Sequence, residues 1–205
     1  MDTDAHSWAA GRPVTSPFAR PAGVAGRLAG RFMLWTNKQD DVLDLLDVRP
    51  GDAVLEIGYG PGALVRLLAA RTGAATIRGV DPSPDMRRAA ARTNRAAVRA
   101  GRVSLGLGTA AETGEEGRSA DRVVSVNNVA LWPDLEAGVR EVHRVLRPGG
   151  QAVIAWHGGS SPGRIARSLR LPDEQLERIE GTLADAFSEV RRTQLRNLVA
   201  FTAVR

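Results

Sequence analysis

A short apolar run followed at once by three glycines is the feature that most constrains this fold. The run covers Ala53–Ile57, the glycines are Gly58, Gly60 and Gly62, and a Leu-rich segment with helical spacing begins at Ala63. A strand that passes through a glycine loop into a helix leaves backbone N–H groups free at the positive end of that helix, and glycine lets a ligand approach the backbone closely. The sequence therefore predicts a βα unit with a nucleotide-binding loop.

The glycine loop fits two ligand patterns. Gly58, Gly60 and Ala63 match the dinucleotide pattern G-x-G-x-x-G/A, which implies hydride transfer by an NAD-dependent oxidoreductase. Glu56 and Gly62 complete a second pattern, an acidic residue followed by G-x-G-x-G, which implies methyl transfer. A carboxylate is unfavourable beside a pyrophosphate but is a suitable anion for the ammonium and sulfonium of S-adenosylmethionine. The glycines alone are compatible with both ligands, the dinucleotide and S-adenosylmethionine, whereas Glu56 favours the methyl donor.

Strand-like and helix-like runs alternate after this loop with short connections. The predicted strands are 53–57, 76–80, 103–106, 121–126 and 151–156, and the predicted helices are 63–71, 84–100, 135–146 and 173–187. Such alternation predicts an α/β fold of the Rossmann-like type, with parallel strands and helices on both faces of the sheet. Residues 189–205 hold two strand-like runs joined by too little chain for a helix, which predicts an antiparallel hairpin.

With 205 residues, the chain is predicted to form a single domain, residues 1–205. A Pro-containing arm at 1–22 is expected to be mobile, and residues 23–49 are expected to form N-terminal helices that could act as a lid. Residues 50–157 are the predicted cofactor-binding core. Residues 158–205 are the predicted C-terminal helix and hairpin.

Composition excludes several kinds of chemistry. The chain has no cysteine, so disulfides, thiolate metal sites and cysteine nucleophiles are ruled out, and we predict no metal site. No stretch approaches the roughly 20 apolar residues of a membrane helix, and the N-terminus lacks a signal-peptide pattern, so we expect a cytoplasmic protein without membrane insertion. The net charge of +5 would suit an anionic partner, but the arginines are spread over several segments, which disfavours nucleic acid. Oligomeric state is left open.

Polar residues follow the predicted strands at their carboxyl ends, where ligands bind in open α/β sheets. Asp81 follows the second strand, where a carboxylate can accept hydrogen bonds from ribose hydroxyls or cap the next helix. Asn127 and Asn128 follow the fourth strand, either facing a ligand or capping the next helix, and Asn127 is also a catalytic candidate. His157 ends the fifth strand and is the candidate general base, with a hydrogen-bonding role in a surface loop as the alternative. His143 is assigned a structural role.

Aromatic residues near the same strand ends are candidates for binding the acceptor. They bury large areas, so each could also be a core residue. If these aromatic residues line a pocket, they predict an apolar or aromatic methyl acceptor. The set consists of Trp132 and Trp156, with Trp35 from the N-terminal helices as a lid residue.

Four blocks in register resemble the successive motifs of class I S-adenosylmethionine-dependent methyltransferases. They are "VLEIGYGPG", "GVDPSPDM", "ADRVVSVNNVALWPD" and "EVHRVLRPGGQAVIAWH". The resemblance covers roughly residues 40–157 and extends to the small-molecule branch that includes the ubiquinone and menaquinone biosynthesis enzymes. It implies a seven-stranded sheet whose last strand is antiparallel. It also implies methyl transfer from S-adenosylmethionine to a small-molecule acceptor, with an RNA or protein methyltransferase as the alternative and a non-catalytic nucleotide-binding protein as a more distant one.

The resemblance also implies roles for individual residues. The loop from Glu56 to Gly62, including Tyr59, would surround the methionine moiety, Asp81 would bind the ribose, and Asn127 and Asn128 would face the methyl donor. The residues implied to line the adenine are Pro82, Met86, Thr109 and Ala110. Thr109 stands where the family has an acidic residue, so the adenine contact falls to its hydroxyl or to the backbone of Ala110.

Overall fold

A computed structural model of the chain describes residues 7–9 and 39–205. Its helices are α1 (Asp40–Leu46), α2 (Ala63–Arg71), α3 (Pro84–Thr93), α4 (Arg95–Arg99), α5 (Leu135–Val145), α6 (Arg164–Ser168) and α7 (Asp173–Ala184). Its strands are β1 (Ala53–Ile57), β2 (Thr76–Asp81), β3 (Val103–Leu107), β4 (Ala120–Val126), β5 (Leu146–His157), β6 (Glu189–Gln194) and β7 (Leu198–Val204). A 3₁₀ helix covers Val129–Leu131.

The strands form one seven-stranded sheet in the order β3-β2-β1-β4-β5-β7-β6. The pairs among β1 to β5 are parallel, whereas β7 runs antiparallel to both β5 and β6. The α/β fold class, the parallel core and the terminal hairpin are therefore confirmed. The order reverses between β1 and β4, and this is the point where ligands bind in open sheets.

Each face of the sheet is covered by its own apolar cluster. One cluster joins α1, α2 and α3 to the sheet and includes Val54, Val126 and Ala155. The other joins α5 and α7 to the opposite face and includes Leu55, Ile154 and Trp156. Because side chains alternate along a strand, neighbouring residues enter different clusters. Consecutive side chains at a strand end therefore tend to lie on opposite faces of the sheet.

Two predicted elements differ in detail. The helix predicted over 84–100 ends at Thr93 and restarts at Arg95, because Asn94 turns its amide onto the backbone oxygens of Gly62 (3.0 Å) and Ala90 (2.9 Å). The fifth strand, predicted over 151–156, begins earlier, at Leu146. The "RPGG" stretch, residues 147–150, lies inside β5 as a bulge, since β5 advances from Leu146 to Gln151 while β4 advances only from Ala120 to Arg122.

The predicted mobile arm at 1–22 is packed where the structure describes it. Trp8 donates through its indole N–H to the backbone oxygen of Val129 (2.7 Å), and its backbone N–H binds the oxygen of Trp132 (3.2 Å). Ser7 is buried and donates to the oxygen of Ala130. Residues 7–9 therefore pack against the 3₁₀ helix, in contrast to the mobile arm predicted for 1–22. The other arm residues and the helix predicted around Trp35 lie outside the described residues.

Within the described part of the chain, the helices are all too short or too polar to span a bilayer.

Candidate functional site

The glycine loop between β1 and α2 is held by backbone hydrogen bonds. Its glycines all have positive φ angles, of 76° at Gly58, 52° at Gly60 and 83° at Gly62. Gly58 donates to the oxygen of Val80 on β2 (2.7 Å), and Gly62 donates to the oxygen of Tyr59 (2.9 Å). A left-handed backbone at three alternate positions admits glycine far more easily than other residues.

Two of these glycines also make room for the protein's own side chains. A Cβ at Gly58 would lie 2.0 Å from the amide nitrogen of Asn128, and one at Gly62 would lie 2.5 Å from that of Asn94 and 2.9 Å from the Cβ of Ala90. Substitution at either position would therefore displace the loop from the 3₁₀ helix or from α3. Glycines that the sequence pattern assigns to ligand binding are therefore also required for internal packing.

Glu56 lies on β1, and its buried carboxyl group contacts the N-terminus of α2. It lies on the same face of β1 as Val54 and accepts a hydrogen bond from the backbone N–H of Val65 in the first turn of α2. Such an acceptor satisfies one of the unpaired donors of a helix N-terminus. Its Oε2 atom is buried and has no hydrogen-bond partner among the described residues. Burial, reinforced by the nearby charge of Asp81, raises the pKa of Glu56 to about 8.

A second buried acceptor without a partner lies beside Glu56. Gln39 precedes α1, is 6% exposed, and its Oε1 atom has no hydrogen-bond partner in the described chain. Both side chains line a cleft of about 300 Å³, part of it open to solvent. The other lining residues are Gly58, Tyr59, Gly60, Pro61, Ala63, Leu64 and Val126. An unpartnered buried oxygen is costly, so two in one cleft suit a ligand that brings hydrogen-bond donors or a positive charge.

Asp81 holds the glycine loop in place. Its Oδ2 atom accepts from the backbone N–H of Gly60 and its Oδ1 atom from that of Ser83, both at 2.9 Å. Burial raises the pKa of Asp81, while these two hydrogen bonds act in the opposite direction. Ser83, not Asp81, caps α3, since the Ser83 hydroxyl accepts from the N–H of Met86 (3.3 Å). The carboxylate keeps further lone pairs for a ligand hydroxyl.

Asn128 joins three parts of the sheet edge. Its amide donates to the oxygen of Ile57 (2.6 Å), and its Oδ1 atom accepts from the Ser125 hydroxyl (2.6 Å) and the Trp132 indole (2.7 Å). These contacts use most of the hydrogen-bonding capacity of the side chain. Asn127 has a positive φ of 58°, and its backbone N–H binds the oxygen of Ala155 (2.8 Å).

The three described aromatic candidates are core side chains. Tyr59 is 3% exposed, donates to the oxygen of Gly106 (2.9 Å) and packs on Gly79. Trp132 and Trp156 lie in the cluster on the face opposite Glu56, and the indole of Trp156 donates to the oxygen of Leu169 (2.8 Å). The structure brings neither tryptophan into the cleft. Trp35 lies outside the described residues.

His157 ends β5 and is partly buried. Its imidazole packs edge-on against the indole of Trp156, with ring centroids 5.4 Å apart. Burial lowers the pKa of His157 to about 4. Its imidazole is therefore neutral over the physiological range, which is the form that accepts a proton. His143, assigned a structural role, packs edge-on against Phe187 with ring centroids 5.3 Å apart.

The residues expected near adenine lie beyond the ends of β2 and β3. Met86 is 3% exposed and belongs to the apolar cluster of α1 to α3, whereas Pro82 is exposed. The Thr109 hydroxyl accepts from the backbone N–H of Glu112 (3.1 Å), and Ala110 is buried. The Thr109 side chain thus already holds a turn.

The structure brings Glu56, the glycine loop and Asp81 together at the reversal of strand order, with Asn128 behind the loop. Gln39 was missed in the sequence because it precedes a helix in a polar stretch, "NKQDD", and nothing there distinguishes it from a solvent-exposed residue. Among the described residues, no group of three or more His, Asp or Glu side chains is arranged to hold a metal ion.

Comparison with protein families and curated sequences gives consistent matches. A family model described as a methyltransferase domain matches residues 54–150. The uncharacterized methyltransferase YdaC of Bacillus subtilis (strain 168) is 33% identical over 129 residues, 62% of this chain and 69% of YdaC. Nocamycin O-methyltransferase of Saccharothrix syringae is 40% identical over 136 residues, 65% of this chain but 47% of that enzyme. The match to methyltransferase GfsG of Streptomyces halstedii, 34% identical, covers 57% of this chain and 41% of GfsG, so this chain spans less than half of the last two relatives.

Solved structures share the fold. A Methanococcus maripaludis protein assigned as an S-adenosyl-L-methionine-dependent methyltransferase superposes with a TM-score of 0.70 at 21% identity, covering 86% of this chain and 92% of that one. Phosphoethanolamine N-methyltransferase 2 of Haemonchus contortus, solved in complex with S-adenosyl-L-methionine, superposes with a TM-score of 0.65 at 18% identity, covering 83% of this chain and 52% of that one. At these identities the likeness concerns the fold.

Proposed function

Since the chain belongs to the class I S-adenosylmethionine-dependent methyltransferases, we propose that it methylates a small apolar or aromatic metabolite. The methyl donor is S-adenosylmethionine. The acceptor class is supported by the name of a relative, nocamycin O-methyltransferase, whose identity to this chain reaches 40%. The expected division into an N-terminal lid, a cofactor core and a C-terminal region remains part of the proposal.

The observation that carries the proposal is the pair of unpartnered oxygens, Oε1 of Gln39 and Oε2 of Glu56, in the cleft beside the glycine loop. The methionine ammonium of the donor brings both N–H groups and a positive charge, so these residues fit it. Asp81 would accept from the ribose hydroxyls, and Gly60 would stay fixed by Asp81. Pro82, Met86, Thr109 and Ala110 remain the proposed adenine-side residues.

The bound donor supplies an electrophilic methyl group with its leaving group already in place. The chain's own residues therefore contribute mainly alignment and exclusion of water, and alignment is worth up to roughly 7 to 11 kcal/mol in favourable systems. His157 is proposed as the base for an acceptor that must lose a proton, and Asn127 as a neighbour of the reacting groups. Trp35 remains a proposed acceptor-binding residue. Trp132 and Trp156 would support the acceptor site from the core, because their side chains are buried.

A nucleic-acid or protein acceptor is the second candidate, and one surface favours it. Residues 84–102, which span α3 and α4, contain six arginines and a single acid, Asp85. The five that lie on these helices are exposed, namely Arg87, Arg88, Arg92, Arg95 and Arg99. The helices that carry these arginines contribute no residue to the lining of the cleft. A hydride-transfer reaction has lost its support, because the relatives are methyltransferases.

Methyl-labelled S-adenosylmethionine tests the acceptor class. The protein is incubated with pools of hydroxylated aromatic and apolar metabolites, with RNA, or with a protein lysate, and each fraction is counted. We expect label in the small organic fraction, and Asp81→Asn should reduce it because ribose binding and the Gly60 contact are both weakened. Label confined to RNA or protein would replace the proposal with the second candidate.

A further inference from the structure

Resting on the proposed function, we infer that the acceptor carries an anionic group and that a surface beside the cleft binds it. This surface, named here the arginine platform, comprises residues 158–171 between β5 and α7 together with the β6–β7 turn 195–197. It holds four arginines, Arg164, Arg167, Arg170 and Arg196, and no acidic residue. The shared chemistry of the ligand is a carboxylate or phosphate head group on an apolar body.

Hydrogen bonds join the two parts of the platform. The backbone N–H groups of Ser160 and Ser161 bind the oxygens of Leu195 and Arg196, both at 2.9 Å, and that of Gly158 binds the oxygen of Asn197 (3.1 Å). Gly159 packs so closely that a Cβ there would lie 2.4 Å from the Leu195 oxygen. The loop that leads into α6 and the hairpin turn therefore form one surface.

Three of the four platform arginines lack an acidic partner. Arg170 pairs with Asp173 (2.9 Å), whereas Arg164, Arg167 and Arg196 form no ion pair with any described residue. The guanidinium of Arg167 donates to the backbone oxygen of Pro162, at 3.4 Å. All three are exposed, and Arg164 and Arg167 stand three positions apart on α6, where side chains share a face. Guanidinium groups with free donors suit planar carboxylates and phosphates.

The platform and the cleft lie at the same edge of the sheet, where the parallel strands end. The platform begins directly after His157, at the carboxyl end of β5, and β5 pairs with β4, which carries the cleft residue Val126. Adjacent strands are about 4.8 Å apart, so the platform starts roughly 5 to 10 Å from the β4 end. A small acceptor with one end near the cleft could therefore reach the platform with its other end.

The platform also offers a fixed apolar contact. Leu169 is 46% exposed, which is unusual for leucine among the described residues, and its backbone oxygen is held by the indole of Trp156 (2.8 Å). Cations around an exposed leucine match a ligand with an apolar body and an anionic end.

Ligand pairs that differ only in charge test this inference. We would titrate 3-phenylpropionate, its neutral amide and phenethyl phosphate into the protein saturated with S-adenosylhomocysteine. We expect at least one anion to bind about tenfold tighter than the amide, and the tighter of the two identifies the head group. The double variant Arg164→Gln/Arg167→Gln should remove this preference, and Arg196→Gln should reduce it.

The matched control is Arg118→Gln/Arg140→Gln, which removes the same charge from exposed arginines before β4 and on α5. It should keep the preference for anions. Equal binding of all three compounds to the unaltered protein, or equal loss in both double variants, would overturn the inference. Failure of S-adenosylhomocysteine itself to bind would instead count against the proposed function, so the two failures are distinguishable.

Discussion

Glu56 shows how a single buried side chain responds to its surroundings. Desolvation and the charge of Asp81 outweigh the hydrogen bond from Val65, so its pKa rises from 4.5 to about 8. The folded state therefore retains a proton that the unfolded chain releases between these values, and stability falls as pH rises from about 4.5 to 8. A bound cation reverses the preference by favouring the carboxylate.

Glu56→Gln should stabilise the ligand-free protein at alkaline pH. Near pH 8.5 we expect its free energy of unfolding to exceed that of the unaltered protein by roughly 1 to 3 kcal/mol, with little difference near pH 4.5. Urea unfolding at a series of pH values measures this. The same substitution should weaken S-adenosylmethionine binding, because the amide cannot supply a negative charge. A variant that is less stable at pH 8.5 would contradict the raised pKa.

Binding of S-adenosylmethionine should release protons between pH 6 and 8, since Glu56 changes from acid to carboxylate beside the ammonium. Calorimetric titration in two buffers of different ionisation enthalpy reports the number released. We expect release of up to one proton for the unaltered protein and markedly less for Glu56→Gln. Equal proton release by the unaltered protein and by Glu56→Gln would show that another group releases the proton.

His157→Ala tests the proposed base. With its pKa lowered to about 4, the imidazole stays neutral as pH falls through 6.5, so turnover should show no loss near pH 6.5 from this residue. If His157 is the base, the variant should lose about 100-fold or more in turnover, with cofactor affinity nearly unchanged. Steady-state kinetics and calorimetry separate the two effects. Unchanged turnover would leave His157 with a structural role.

At the scale of elements, short segments are held by a few specific contacts. Asn128 ties the end of β1 to β4 and the 3₁₀ helix, and residues 7–9 cover that helix. The N-terminal segment also reaches α7, since Gln175 donates to the oxygen of Ala9 (2.7 Å) and the guanidinium of Arg178 lies 5.1 Å from the Trp8 ring centroid. A distant part of the sequence thus closes over the loop that carries Asn128.

Trp8→Ala should remove this cover. The loss of one hydrogen bond and a partly buried ring should lower the free energy of unfolding by about 1 to 3 kcal/mol, and Trp8→Phe, which keeps a ring, should lower it less. Denaturant unfolding followed by far-UV circular dichroism avoids the change in tryptophan fluorescence. Unfolding midpoints identical to that of the unaltered protein would show that residues 7–9 do not stabilise it in solution.

At the scale of the whole molecule, the strand order decides where a ligand can act. The reversal between β1 and β4 brings the glycine loop, Asp81 and the carboxyl end of β4 to one edge, although they are distant in sequence. A ligand in this cleft contacts several elements, so its binding energy adds to the stability of the whole domain.

S-adenosylhomocysteine should therefore raise the thermal unfolding midpoint. At 100 times its dissociation constant it adds about 2.7 kcal/mol, which corresponds to roughly 5 to 10 °C for a domain of this size. NAD at the same concentration is the control and should give no shift. A shift with NAD but none with S-adenosylhomocysteine would contradict the role of Glu56 in selecting a cationic ligand.

The sequence by itself determined the alternation of strands and helices, the glycine loop and the final hairpin, because these depend on local periodicity and chain length. It placed Glu56 and Asp81 correctly at strand ends for the same reason. Only the tertiary structure placed Trp156 in the core on the face opposite Glu56, since side-chain alternation becomes decisive once each face has its own core. The same packing brought Gln39 beside Glu56 and turned Asn128 onto Gly58. Such contacts depend on how helices pack on the sheet, which residue spacing along one chain segment does not encode.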